Sequence, residues 1–308
     1  MDAKKIQEIW DNIDYERTRN SPPEGFPKLP EIPGKRYTDI NLYNLEMEKI
    51  FYKSWLMVFR EDEIPNPGDY KIWNKLNKDI LVVRQKDLSI KAFYNTCMHR
   101  GAPVVRDSKG NTNLLRCQYH SWTYDLSGDL VKVPDMRDFK DFDISCKKLK
   151  KIFCDTWGGW VYISLSDNDP GDLIDFLNPV AKELECFNSS DLITVYKKNV
   201  TVKANWKTCL DAFMEVYHAP TIHKDTVNIL LDGNAMAAGL LKIGHSRMGT
   251  PKKMNLDGGF LGAEESDYVP YIETCLLYTS DAADEGLGVH LGGRRIIKKK
   301  RGGGGGGG

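Results

Sequence analysis

Two short cysteine/histidine knuckles constrain this 308-residue chain more than any other feature: Cys97-Met98-His99, a gap of 17 residues (100 to 116), then Cys117-Gln118-Tyr119-His120. Each supplies one thiolate and one imidazole from a turn beside a strand-like run. Two such loops meeting tip to tip would present two sulfurs and two nitrogens to one site. Seven cysteines in a chain this long are too few and too scattered for a disulfide scaffold, so metal ligation is the first reading, in a reducing compartment. The surrounding pattern agrees, because Glu46 to Leu165 reads mainly as short alternating or apolar strands: Trp55 to Phe59, Ile80 to Val83, Ile90 to Tyr94 and Trp160 to Leu165. This predicts an all-β domain built around the knuckles.

Zinc could use two cysteines and two histidines, but zinc ribbons usually pair Cys with Cys in each knuckle. One Cys and one His per knuckle fits a Rieske 2Fe-2S centre, where two Cys hold one iron and two His the other. Neutral imidazoles in place of thiolates remove negative charge and raise the reduction potential. The stretches CMHRGAPVV and CQYHSWTYDLSGDL resemble the Rieske domain of aromatic-ring-hydroxylating dioxygenase α subunits. The resemblance implies that Cys97 and Cys117 bind one iron and His99 and His120 the other, with Arg100 and Trp122 packing and hydrogen-bonding around the cluster.

A second constellation lies in NWKTCLDAFMEVYHAPTIH, Asn205 to His223. Apolar Leu210, Phe213, Met214 and Tyr217 recur at three- and four-residue steps, which predicts one helix over Trp206 to His223, loosened at Pro220. Two histidines and a carboxylate on one face of an iron are the facial triad of non-haem Fe(II) oxygenases. The N-W-K opening and E-x-Y-H-x4-H close resemble the catalytic domain of the same family, so the likeness runs from about Trp55 to His223. It implies His218 and His223 as iron ligands. Glu215 falls where the family usually has the aspartate that hydrogen-bonds an iron-ligating His and a cluster His of the neighbouring subunit, a bridge for electron transfer. Some relatives, including oxygenases of quaternary amines, place Glu there. Asp211, four residues earlier, is expected to support the site from the same helical face. The third ligand, in the family an Asp far along the chain, is missing: Asp232, Asp257 and Asp267 match no motif. His245, His290 and the free thiols Cys146, Cys154, Cys186 and Cys209, the thiols expected buried, have no metal-like spacing.

The expected organisation is α+β: an N-terminal helix and extended Pro-rich arm over 1–45, a Rieske domain over 46–168, and the N-terminal part of an incomplete, helix-grip-like catalytic domain over 173–274. Val227 to Leu241 reads as core, or as lining for a substrate pocket. Residues 275–308 do not read as protein: CLLYTSDAADE resembles a translated sequencing-library adapter, and the chain closes on seven glycines. With 43 basic and 43 acidic side chains there is no electrostatic footprint for nucleic acid or an anionic membrane, and the N-terminus lacks the apolar core of a signal peptide. A cytoplasmic enzyme is expected. The resemblance implies a 2Fe-2S cluster, Fe(II), O2 as co-substrate, and NAD(P)H electrons arriving through a reductase, with or without a ferredoxin. It also implies a homotrimer or α3β3 assembly. The reading is an oxygenase that hydroxylates an aromatic or other hydrophobic ring. The alternatives are a quaternary-amine monooxygenase or O-demethylase of the same superfamily, and, from another class, a Rieske ferredoxin-like electron carrier.

Overall fold

The computed structural model describes residues 3–224, 228 and 231–251. The expected tail over 275–308, Asp257, Asp267 and His290 all lie outside the described residues. Helix α1 (Ala3–Thr18) places Ile9 and Ile13 one turn apart and buries both against Ala235 and Ala237. The Pro-rich stretch that follows forms neither helix nor strand until α2 (Lys35–Thr38) and α3 (Ile40–Glu46). Asp39 caps α3 by accepting the N–H groups of Asn41 and Leu42. A π-helical turn, Met47–Phe51, then carries Met47 and Phe51 into the core.

The strands are β1 (Trp55–Arg60), β2 (Asp69–Lys75), β3 (Lys78–Arg84), β4 (Ile90–Tyr94), β5 (Lys109–Asn111), β6 (Leu115–Arg116), β7 (Thr123–Tyr124), β8 (Leu130–Lys132), β9 (Lys151–Trp157) and β10 (Trp160–Ser164). Seven form one antiparallel sheet in the order β1-β10-β9-β4-β3-β2-β5, while β6, β7 and β8 make a second, smaller sheet. Strand β3 explains why Ile80 to Val83 reads as an unbroken apolar run. Ile80 and Val82 face the core beneath Phe51, Leu81 and Val83 face the core beneath the small sheet, and all four are fully buried. Burial of each contributes about 1.5–3 kcal/mol. The turn between β7 and β8 presses on this second core: Gly128 has φ +84°, and a Cβ there would come within 2.5 Å of the Phe93 ring, so only glycine fits.

Beyond the sheet, α4 (Leu173–Leu177) and α5 (Val180–Leu184) pack Leu173, Leu177 and Ala181 on Trp55, Met57 and Tyr162. The chain then returns past the end of β1. Arg60 donates to the carbonyls of Gly158, Ser189 and Leu192, Asp62 accepts from Thr194 at 2.6 and 3.1 Å, and Glu63 pairs with Lys71 and Lys197. Helices α6 (Trp206–Asp211) and α7 (Ala219–Ile222) follow, then the hairpin β11 (Ala237–Leu240) and β12 (Ser246–Gly249). The hairpin is tied to α5 by a buried pair, Arg247 to Glu183 at 2.7 Å. A strand-rich half followed by a mixed helix-and-strand half is the expected α+β class. Among the described residues no helix is long and apolar enough to cross a membrane.

Two expectations fail locally. Trp206 to His223 is not one helix: α6 stops at Asp211, and α7 begins only after an irregular stretch containing Glu215. Glu215 accepts the His218 N–H at 3.0 Å, a side-chain alternative to continuing the helix, and Pro220 sits in the first turn of α7, where its missing N–H has no partner to lose. Pro220 therefore starts a helix instead of loosening one. The four lone thiols are not all buried either, since Cys146 and Cys186 are exposed; burial raises Cys154 to about 12.

Candidate metal centres

The two knuckles are near copies in backbone hydrogen bonding. In the first, the Cys97 N–H donates to the Ala102 carbonyl at 2.8 Å and the Cys97 carbonyl accepts from Gly101 at 3.0 Å. In the second, Cys117 donates to Trp122 at 2.9 Å and accepts from Ser121 at 2.9 Å. Both turns close on a left-handed residue, Gly101 at φ +75° and Ser121 at φ +60°. The histidine comes two residues after the cysteine in one copy and three in the other. Asn95, itself buried, holds the first loop by accepting the Val104 and Val105 N–H groups at 3.0 Å each and donating to Val105 O at 2.9 Å.

Cys97 and Cys117 are 3% and 2% exposed within the core that contains Leu81 and Phe93, whereas His99 is half-buried and His120 exposed. The imidazoles lie 4.6 Å apart between centroids, nearly perpendicular. A two-iron group placed here would have a dry thiolate side and a wet imidazole side. Burial raises the Cys97 thiol, with Cys117 adding to that shift, so Cys97 favours the protonated form until a cation compensates it. Burial also lowers His99, as does His120, which keeps its imidazole neutral and able to ligate.

Trp122 stacks on His99 at 4.8 Å with an 11° interplanar angle and is backed by Phe142 and Phe139. Arg100, exposed, lies over the Tyr119 ring, which packs on His120. The sequence reading missed Tyr124. Its hydroxyl lies 3.3 Å from Cys97 Sγ and accepts the Met98 N–H at 3.0 Å, and burial together with Cys97 raises its titration. The signal was available, since Tyr124 is two residues beyond Trp122, which leads directly into β7, and both enter the same core.

In the second group, His218 and His223 lie 5.2 Å apart between ring centroids. Glu215 Oε1 meets His218 Nδ1 at 2.5 Å, leaving Nε2 as the ring's remaining ligating atom. Burial pushes the Glu215 carboxyl up, but its hydrogen bonds from the His218 ring and backbone outweigh this and hold it below the usual carboxylate range. Asp211 does not join the group: as α6 ends there, no helical face is shared with Glu215, and its carboxylate accepts the Tyr37 hydroxyl at 2.7 Å. Asp232 pairs with Arg17 at 3.6 Å, and His245 is buried with Nε2 donating to the Phe176 carbonyl at 2.7 Å. Of the Val227 to Leu241 stretch, Ala235 and Ala237 pack as core against α1.

Among the described residues no three His, Cys, Asp or Glu side chains converge on one metal ion. Two protein ligands per iron is what a cluster of this type asks of the knuckles, so the donor set, with its dry thiolates and more accessible imidazoles, fits the group. For a single iron, His218 and His223 supply two donors and Glu215 stands behind one of them; no third carboxylate faces them among the described residues.

Comparison with known proteins places both groups in recognised domains. Residues 54–146 match the Rieske [2Fe-2S] domain, and residues 189–270 match the catalytic domain of the ring hydroxylating alpha subunit. The chain is 34% identical over 202 residues to the glycine betaine monooxygenase oxygenase subunit of Chromohalobacter salexigens, a match covering 65% of this chain and 45% of that protein. It is 36% identical over 193 residues to the chlorobenzene dioxygenase subunit alpha of a Cupriavidus species, covering 60% and 42%. The quaternary ammonium Rieske monooxygenase CntA superposes with a TM-score of 0.66 at 27% identity, over 72% of this chain and 60% of that one. The chain spans about half the length of the curated relatives it matches. Its two matched domains are those that carry a 2Fe-2S cluster and a non-haem iron that works with O2, and the proteins it resembles are oxygenase components and α subunits of Rieske systems.

Proposed function

We propose that this chain is the oxygenase component of a Rieske non-haem iron system and that its substrate is a quaternary ammonium compound, oxidised by insertion of one oxygen atom from O2. The observation that carries this reading is a glutamate, Glu215, hydrogen-bonded to His218 Nδ1 where ring dihydroxylases usually have aspartate. The likeness to glycine betaine and CntA-type monooxygenases supports it. The 36% identity to a chlorobenzene dioxygenase subunit supports ring hydroxylation as the second reading.

In this reading residues 46–168 and 173–274 are the two functional units. Cys97 and Cys117 hold one iron of the cluster, His99 and His120 the other, and His218 and His223 hold the single iron. When bound, these groups supply single electrons and O2 activation. The protein's own part is to set protons and orientation. Trp122 keeps the His99 ring in one plane. Glu215 holds the proton of His218 on Nδ1 and so frees Nε2. The Glu215 side chain is 38% exposed, leaving carboxylate lone pairs for an imidazole of a neighbouring subunit's cluster. The reading includes a homotrimer or α3β3 assembly, as the resemblance implies, with electrons from NAD(P)H through a reductase, with or without a ferredoxin.

The test is an 18O2 single turnover of the reduced protein with glycine betaine and carnitine against chlorobenzene. Hydroxylation of the carbon beside the quaternary nitrogen breaks the C–N bond and leaves a tertiary amine and an aldehyde, so label in that aldehyde, trapped by borohydride before it exchanges with water, supports the proposal; label only in a ring diol selects the second reading. A carrier would bind two irons per chain and label neither. Glu215→Gln should retain all bound iron while slowing the single turnover by about 10- to 100-fold, the usual cost of losing a partner to a ligating histidine. Unchanged turnover would remove Glu215 from the bridge.

A further inference from the structure

Helix α6 is gripped at both ends by one N-terminal stretch. At its start, Asn205 accepts the Lys207 N–H at 3.0 Å and donates from Nδ2 to the Tyr37 carbonyl at 3.1 Å. Lys207, 5% exposed, meets Glu46, 8% exposed, at 2.7 Å, and Trp206 Nε1 donates to the same carboxylate at 2.9 Å. At its end, Asp211 accepts the Tyr37 hydroxyl at 2.7 Å. Glu46 immediately precedes the π-helical turn whose Phe51 lies in the sheet core, and the Trp206 ring meets Phe51 edge-on at 5.3 Å.

A six-residue helix does not hold itself together, since isolated helices shorter than about 12 residues are marginal. A buried ion pair is also a poor source of stability, because desolvation offsets most of its attraction. What the arrangement supplies is location. Both Glu46 oxygens are engaged by Lys207, and Trp206 shares one of them, so the start of α6 has one seat relative to the sheet. Four residues past the end of α6 comes Glu215, on an irregular stretch with no helix of its own.

We propose that Tyr37–Asp211 and Glu46–Lys207 form a clamp that positions Glu215 and His218 relative to the Rieske-domain sheet; the purpose assigned to it rests on reading Glu215, His218 and His223 as the iron-side site. Tyr37, Glu46, Lys207 and Asp211 are thus positioning residues, and the clamp ties the order of the iron side to residues more than 160 positions earlier in the chain.

Hydrogen exchange on the full chain tests it with Lys207→Met, the double variant Glu46→Gln/Lys207→Met, and Tyr37→Phe. Exchange in peptides covering 212–224 should rise about tenfold in all three, while peptides covering 95–124 keep their rates. The double variant should recover the melting temperature lost in Lys207→Met, because no unpaired buried charge remains, and yet keep the fast exchange. Recovery of both together would mean a merely structural pair, and would overturn the proposal. So would unchanged exchange at 212–224, or acceleration spread equally over 95–124. Tyr37→Phe removes one half-buried hydroxyl and carries the test alone if a buried-charge variant fails to fold. The readout needs no iron, so its failure leaves the iron-side reading standing, whereas His218→Ala with undiminished bound iron would sink that reading and leave the clamp.

Discussion

The knuckles at 97–102 and 117–122 and the segment at 205–223 each bring two imidazoles to similar separations, 4.6 and 5.2 Å between centroids, but they hold them differently. The knuckles hang from paired strands. Each closes through two backbone hydrogen bonds of its own, and their cysteines sit inside a core shared with Leu81, Phe93 and Tyr124. The iron-side segment has two short helices, a carboxylate lock on His218, and side-chain ties to residues 37–46. Backbone hydrogen bonds within each knuckle make the shape of the first site depend mainly on nearby residues. Dependence on a few side chains makes the second sensitive to distant changes.

The comparison can be broken most directly at the cluster. Cys117→Ser should abolish the cluster's visible absorption and electron paramagnetic signal altogether, since a serine cannot replace a buried thiolate ligand. A retained spectrum would mean that the knuckles are not the site. Next in size is Tyr124→Phe, which leaves the Met98 N–H unpaired beside Cys97 and should cost about 1–3 kcal/mol in denaturant unfolding. No loss would show that the backbone hydrogen bonds hold the first knuckle without this hydroxyl.

A smaller effect is expected where the two regions join. Burial raises the Glu63 carboxyl, but hydrogen bonds and charges from Lys71 and Lys197 outweigh it and leave it below the ordinary range. A depressed folded-state value means that this tie is fully present above the unfolded carboxyl's value, about 4.3, and is lost as pH falls through the folded value. The stability difference between wild type and Glu63→Gln should therefore be level from pH 7 to about 5 and shrink below about pH 4. A difference that persists unchanged at pH 3 would assign it to packing.

The smallest changes test the duplicated turns. Gly101 has open space around its missing Cβ, so Gly101→Ala should cost only the left-handed strain, about 1 kcal/mol. Ser121→Gly should gain about as much at the matching position, less what its exposed hydrogen bond with Arg116 contributes. Equal signs for the two substitutions in thermal unfolding would contradict the equivalence of the knuckles.

The legibility of the two sites follows the same division. The knuckles could be read because ligand, turn and strand are contiguous, and the alternation that buries Trp122 also points to Tyr124. The segment 206–223 was misread as one helix because apolar spacing carries no information about Glu215 capping the His218 N–H, nor about Pro220 opening a new helix. Asp211 was assigned to the iron side on a helical face that ends before it is shared. Its true partner is Tyr37, 174 positions away.

Sequence alone determined where the candidate ligands lie, one Cys and one His in each knuckle of an all-β stretch, and the resemblance supplied the expected pairs. Spacing within a few residues is enough to mark the knuckles, because backbone geometry limits where neighbours can point. Tertiary structure decided which cysteines are dry, which carboxylate turns toward His218 and which toward Tyr37, and that Lys207 lies buried on Glu46. Those outcomes depend on contacts between distant segments, where burial makes an unpaired charge costly and so selects the partner.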